Sequence, residues 1–388
     1  MEANPMRQNL RLGQIAGIPV GMHWSVLLIL LLLTQGVAGA LLPAAAAGYA
    51  AAAYWLVAVA LAGLFLAALL GHELAHALTA RHFGVRVKAI TLWLLGGVSE
   101  LDGNPPHPRA DLLIALAGPL ASLAASGLFA GAAWLAALAG LAPLRVGLVW
   151  LAAVNAVTAV FNLLPGAPLD GGRVVAALVW WRRGDRAAAR RAAARAGQVT
   201  GGLVAGGGLA AVLVSGSLSG LWLMLLGWFL ATAAGAEAAD VRLSTGLAGI
   251  DVARVMTAPP VCGYAGQSIA AFVSTVAATS PHRAYPVVGL DGALAGLVTL
   301  SRLATVPGPA RATTRLTDVR VPLARVRVIA PDTPLLGALG VLGDPYRLAV
   351  VTVGGRPCGV LSPGDVRRAL DVAELGGVPD RSRGAEIL

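Results

Sequence analysis

Charge is what this chain has least of. Of its 388 residues only 12% are Asp, Glu, Lys or Arg, against 57% hydrophobic, and mean hydropathy is +0.75. No charged side chain occurs in 12–71, in 112–144 or in 196–236. A soluble globular domain carries roughly 25% charged residues, so these values exclude that class and leave a polytopic membrane protein. Cysteine is scarce too. Cys262 and Cys358 lie far apart, which excludes a disulfide scaffold and a CxxC metal site and suits a reducing compartment. Lysine is reduced to Lys88, so arginine carries the net charge of +10. Those arginines cluster between apolar runs, where the bias toward positive cytosolic loops accounts for them; no nucleic-acid partner is implied. Arg7 and Arg11 are followed by a glycine-punctuated segment, without the compact apolar region and cleavage site of a signal peptide.

What is present is a series of about six apolar spans: 23–42, 51–80, 112–138, 146–164, and two more within 196–236, separated by Ser215-Gly-Ser-Leu-Ser-Gly220. Residues 1–22 read as an N-terminal cytosolic or interfacial segment with a short strand pair. Gly118-Pro119 predicts an early kink in the third span. Arg182, Arg183, Arg186, Arg190, Arg191 and Arg195 form a connector after the fourth span that faces anionic headgroups. Basic residues before the first span, after the second and after the fourth place the N-terminus and the C-terminus in the cytosol of a multi-pass cell-membrane protein.

Against that background the polar residues inside spans stand out, because burying them in lipid is costly. The second span closes on Gly71-His72-Glu73-Leu74-Ala75-His76. On a helix His72 and His76 share one face, one turn apart, and imidazoles so spaced can hold one Zn²⁺. Glu73 is adjacent and suits a general base acting on water. A catalytic zinc needs a third protein ligand and an open position. Asp170, in a Pro/Gly turn just after the fourth span, is the candidate; Glu100, Asp102 and Asp111 are rivals in a polar loop or at a span entrance. The topology puts the ends of spans two and four on the same side, so His72, His76 and Asp170 can meet. Residues 85–97 are β-prone and end in Gly96-Gly97. They read as a hairpin near the mouth of the site, whose open edge could hold an extended peptide.

Charge density rises after Glu237, and the last third reads as soluble. It contains a repeat at an offset of 63, with Tyr285–Thr299 aligned on Leu348–Ser362. Each copy reads as strand, tight Gly turn, strand and helix start. Thr299 and Ser362 stand at the helix starts, where a hydroxyl caps the helix or binds a phosphate or ribose. Three residues on, the second copy has Asp365 and the first has Arg302, so an acid able to bind ribose exists only in the second copy.

Taken together, His72-Glu73-Leu-Ala-His76 and Asn162-x-x-Pro165-x-x-x-x-Asp170-Gly171 resemble the HExxH and NxxPxxxxDG motifs of the site-2 protease family, and the tail resembles a tandem pair of CBS domains. The resemblance covers essentially the whole chain. It implies a polytopic α-helical membrane protein followed by a soluble α/β CBS pair. Its parts are an N-terminal segment (1–22), a protease domain (23–240), a linker (241–250), CBS domains at 251–307 and 308–375, and a tail (376–388). It implies one Zn²⁺ on His72, His76 and Asp170, Glu73 as catalytic base, and Asn162 positioning the substrate or its oxyanion. It makes Gly96 and Gly97 part of a substrate-accepting hairpin. The substrate would be a single-pass membrane protein such as an anti-sigma factor, cut by regulated intramembrane proteolysis. The CBS pair would be a regulatory module binding an adenine nucleotide through Thr299, Ser362 and Asp365, and a possible homodimer contact. The competing readings are a CBS-gated channel or transporter, and a catalytically inactive regulator with a structural metal. Polarity concentrated at two motifs, rather than spread along several spans, argues against a channel, and an intact Glu73 argues against the inactive form.

Overall fold

The computed structural model describes residues 10–93, 96–280, 282–343, 346–375 and 377. Residues 1–9 of the N-terminal segment, Leu94 and Leu95 of the hairpin, and the tail assigned to 376–388, save Gly377, lie outside the described residues. The chain divides into two compact units, Met1–Val241 and Arg242–Leu388.

The first unit opens with strands β1 (Leu10–Ile15) and β2 (Ile18–Met22), which pair antiparallel. Helices α1 (Ser25–Ala45) and α2 (Ala51–His82) follow. Strands β3 (Arg86–Trp93) and β4 (Gly96–Asp102) then complete a four-stranded sheet in the order β1-β2-β3-β4. Because β2 and β3 are parallel, with Val20 opposite Ile90, their connection must cross over. Here α1 and α2 make the crossover. Ile18, Val20, Ile90 and Leu92 pack with Ala77 of α2, so the sheet is fastened to the end of α2 that carries the histidine motif.

Helices α3 (Pro108–Leu138) and α4 (Ala142–Asn162) pack with α2 around Leu61, Phe129, Ala133, Leu148 and Leu151. The assignment of α3 runs unbroken through Pro119. Next come α5 (Asp170–Arg183), α6 (Arg186–Ser215) and α7 (Ser219–Gly246). Among the described residues, α1, α2, α3, α4, α6 and α7 are long and apolar enough to cross a membrane, while α5 is too short. The arginine-rich connector is mostly helical. Arg182 and Arg183 end α5, Gly184 turns the chain at φ +69°, Asp185 caps α6, and the other four arginines occupy the first turns of α6. Alanine, the best helix former, separates those arginines and makes this segment helical despite its charge.

The second unit contains two sheets. β5 (Gly263–Tyr264), β6 (Ala284–Val288), β7 (Leu294–Thr299) and β8 (Val321–Pro322) form one; β9 (Val328–Ile329), β10 (Ala349–Val353) and β11 (Arg356–Leu361) form the other. The register corrects the repeat. Tyr285 faces Val298 and Val287 faces Gly296, while Ala349 faces Leu361 and Val351 faces Gly359. Tyr285 thus corresponds to Ala349 rather than Leu348, because the second hairpin is one residue shorter. Both first strands are buried on each face: Tyr285 and Val287 in the first copy, and Ala349, Val350 and Val351 in the second, are fully buried, so the register rests on the pairing rather than on burial.

Candidate metal centre

Three donor atoms from two distant segments converge in the first unit. His72 and His76 lie on α2, buried, with their Nε2 atoms 3.2 Å apart. The Asp170 Oδ2 is 3.2 Å from His76 Nε2 and 3.4 Å from His72 Nε2. A tetrahedral ion with bonds of about 2.0–2.1 Å has ligand atoms about 3.3–3.4 Å apart, so this triangle has the size of one face of such a polyhedron. No other group of three His, Cys, Asp or Glu donors among the described residues meets the same proximity.

The imidazoles are held in the orientation that ligation needs. Ile114 O, which can only accept, lies 2.6 Å from His76 Nδ1; the proton therefore sits on Nδ1 and leaves the Nε2 lone pair facing the triangle. His72 Nδ1 pairs with Ser122 Oγ at 2.9 Å. Both partners belong to α3. Between them on the same face is Gly118, where a Cβ would fall 2.2 Å from His76 Nε2 and 2.6 Å from His72 Nε2. A methyl there would fill the space that an ion held by these donors occupies, so the bare backbone of α3 forms part of the cradle. Donor chemistry, triangle size and open space all fit zinc.

Asp170 is placed by close backbone packing. It is the first residue of α5. A Cβ on Gly171 would lie 2.1 Å from Leu164 O, and one on Gly172 2.3 Å from Ala167 N. Only glycines let the first turn of α5 fold back onto its own loop. Helix α6 grips that loop from the other side: Ala167 N donates to Ala193 O at 3.1 Å and Thr200 Oγ1 to Pro165 O at 2.6 Å. A Cβ on Gly197 would lie 2.1 Å from Ala167 O.

Glu73 is 7% exposed, and its Oε2 accepts a 2.9 Å hydrogen bond from Ser99 Oγ of β4. Strand β4 crosses directly over it, since a Cβ on Gly97 would lie 2.2 Å from Glu73 Cγ. Gly97 is needed for space; Gly96, at φ +141° and with nothing nearby, is needed for its backbone conformation. β4 is the last strand of its sheet, so its outer edge has no strand partner among the described residues.

The remaining sequence candidates fall elsewhere. Asn162 ends α4, half-buried, and its side chain has no hydrogen-bond partner among the described residues. Of the rival carboxylates, Asp111 pairs with Arg173 at 2.9 Å and Asp102 with Lys88 at 3.1 Å; Glu100 is exposed on β4. In the second unit Thr299 caps Leu300–Ala304. Ser362 caps Pro363–Glu374 in a reciprocal box with Asp365, which also accepts from Thr257 Oγ1 at 2.8 Å. Ser99, Gly118 and Ser122 were not singled out for the site by sequence reasoning. For the last two the available signal was helical spacing: Asp111, Ile114, Gly118 and Ser122 recur on one face of α3.

Residues 59–142 and 136–205 match the model of Peptidase family M50, and 252–307 and 318–372 match the CBS domain. The chain is 42% identical over 375 residues to the Mycobacterium tuberculosis protein named "Putative zinc metalloprotease Rip3", covering 95% of each chain. It is 31% identical over 311 residues, 78% of this chain and 79% of the relative, to "Putative zinc metalloprotease sll0528" of Synechocystis. The solved site-2 protease from Methanocaldococcus jannaschii aligns at 26% identity and a TM-score of 0.39, covering 59% of this chain and 94% of that one. The chain belongs to peptidase family M50, the site-2 proteases, and carries a C-terminal pair of CBS domains: a multi-pass membrane protein of a metalloprotease family.

Proposed function

We propose that this protein is a zinc endopeptidase that hydrolyses a peptide bond in or beside the transmembrane helix of a single-pass substrate. The observation that carries this reading is the His72–His76–Asp170 triangle with Glu73 next to it under an unpaired strand edge. His72, His76 and Asp170 would hold the zinc, which when bound supplies Lewis-acid polarisation of water and of a carbonyl. The Glu73 carboxylate accepts the proton from the attacking water and returns it to the leaving amine nitrogen. Ser99, by donating to Oε2, keeps the other oxygen, Oε1, for that exchange. The unpartnered Asn162 amide is suited to hold the substrate carbonyl. A helical substrate must first unwind, because its carbonyls are committed to i→i−4 bonds. The outer edge of β4 offers the freed backbone replacement partners beside Glu73.

The positive-inside bias supports a cytosolic N-terminus and cytosolic CBS domains. The CBS pair suits a regulatory module in regulated intramembrane proteolysis, with a membrane-anchored regulator such as an anti-sigma factor as substrate. The test is Glu73→Gln in the purified full chain against a single-pass substrate. Zinc stoichiometry should stay at wild type while cleavage falls by about 10²–10⁴-fold; undiminished cleavage would remove Glu73 from its role.

A further inference from the structure

Beyond the metal centre, the first unit contains a half-open cavity of about 330 Å³ that the catalytic reading leaves unused. One wall is the end of β4 and the loop after it, through Leu101, Gly103 and Asn104. Another is the first turn of the helix that begins with Asp170, through Leu169, Gly172 and Arg173. The third is the start of α6, through Arg186 and Arg190. Two of these three arginines are neutralised: Arg173 pairs with Asp111 at 2.9 Å, and Arg190 with Glu237 at 2.7 Å and Asp240 at 3.3 Å. Arg186 has no carboxylate within 4.0 Å among the described residues. Its Nη2 donates to Asn104 Oδ1 at 2.9 Å and its guanidinium lies 5.1 Å from the centre of the Trp180 ring. A neutral amide and an aromatic face hold the cation in place without cancelling its charge. The remaining lining is apolar at Leu101, Pro105 and Leu169, with Asp111 and Glu237 present in it as the ion-pair partners of Arg173 and Arg190. A partly apolar pocket in which two ion pairs balance and one oriented guanidinium is left over suits a carboxylate on a short aliphatic stem.

The position of the cavity says whose carboxylate it is. Strand β4 crosses Glu73 at Gly97 and reaches the cavity at Leu101 and Gly103. At about 3.3 Å per residue that path is about 13–20 Å long. A peptide laid along the outer edge of β4 with its reacting bond at Glu73 therefore delivers a side chain to Arg186 four to six residues away. We propose that this cavity is a substrate subsite that selects an aspartate or glutamate about four to six positions from the cleaved bond, with Arg186 as the residue that reads it. This inference rests on the protease reading above and adds a specificity to it. The strand that covers Glu73 and the helix that begins with Asp170 both form cavity walls, which favours a peptide over a lipid phosphate as occupant.

The experiment uses the full zinc-loaded chain in proteoliposomes of neutral lipid. The substrates are single-pass proteins in which an aspartate, an alanine or a lysine is placed in turn at each of eight positions on either side of the cut. Wild type should prefer aspartate to alanine by about tenfold or more in kcat/KM within the four-to-six window on one side. Arg186→Glu should invert that preference toward lysine at the same position, and Arg186→Gln, which can still reach Asn104, should bring it close to unity. Zinc stoichiometry and thermal unfolding of each variant show that it is folded. Wild type that cleaves without an acidic preference in that window overturns the proposal, as does a preference unchanged in both Arg186 variants. An effect of Arg186→Glu that follows the content of anionic lipid, with side-chain preference unaltered, gives the cavity to a headgroup and also overturns it. Wild type that cleaves none of the substrates overturns the protease reading itself, and this one with it.

Discussion

The two units of this chain solve the problem of burial in opposite ways. In the second unit the largest buried side chains are apolar or aromatic, Tyr285, Phe272, Ile269 and Leu297 among them, and Asp365 is its one buried charged or polar residue among those described. In the first unit the outside is oily, with Leu56 at 73% exposure and Leu203 at 72%, while His72, Glu73, His76, Asp111, Ser122 and Asn155 are inside. A soluble domain excludes polar groups from its core because each must find a partner there. The membrane unit fills its interior with such groups, and each has a partner: Asn155 donates to Leu151 O of its own helix, and the others reach a neighbouring helix or strand. In the first unit the polar residues that fill the interior include the candidate metal ligands and Glu73.

Substitutions should expose that difference. The largest effect is expected from Asp170→Ala, which removes one of three donors. Zinc content should drop from one per chain to near zero and affinity by more than about hundredfold, since even partners behind the ligands are worth 10–100-fold; metal analysis of the purified protein checks this. Gly118→Ala should come next. In an ordinary helix it would stabilise by about 1 kcal/mol, yet here the new methyl lies against both imidazoles. Zinc binding should be lost with helix content unchanged by circular dichroism. Gly97→Ala supplies the contrast, because its methyl meets Glu73 rather than the donors; zinc should be retained while cleavage falls. In the second unit Asp365→Ala removes the cap partner of Ser362 and the acceptor of Thr257. It should lower stability by about 1–2 kcal/mol, seen as a lower Tm of the second unit's transition, and leave zinc untouched. The smallest effect concerns Cys262, whose thiol burial pushes up to about 11. At pH 8 about one molecule in a thousand carries the thiolate, so alkylation should be slow in the folded protein and fast after denaturation.

The sequence disclosed features that chemistry or lipid makes compulsory. Imidazoles four apart beside a glutamate, in a run without charge, admit few explanations, and runs of 20 or more apolar residues admit fewer. Asp170 was legible because a carboxylate in a Pro/Gly turn after a span is rare. What stayed hidden depends on a neighbour's position. Gly118 read as a kink with Pro119, but its role is to have no side chain where another helix points two imidazoles. Ser99 and Ser122 are ordinary serines until β4 and α3 are laid against α2. The connector arginines were read as a link facing anionic headgroups, and the alanines between them, which make the segment helical, were not weighed. The repeat was found with its second strand and helix start in register and its first strand one residue off, since a hairpin one residue shorter leaves no mark in a gapless comparison.

Two of the three donors sit one turn apart on a single rigid rod and cannot be drawn away from each other. The third rides on a loop clasped by Gly197 and Thr200 of α6. A slide of α6 by an ångström or so would therefore lengthen the two edges that end at Asp170 and leave the His72–His76 edge unchanged. Metal retention in this molecule is a strain gauge for the seam between that loop and α6, and whatever pushes on α6 from outside has a direct mechanical handle on the ion.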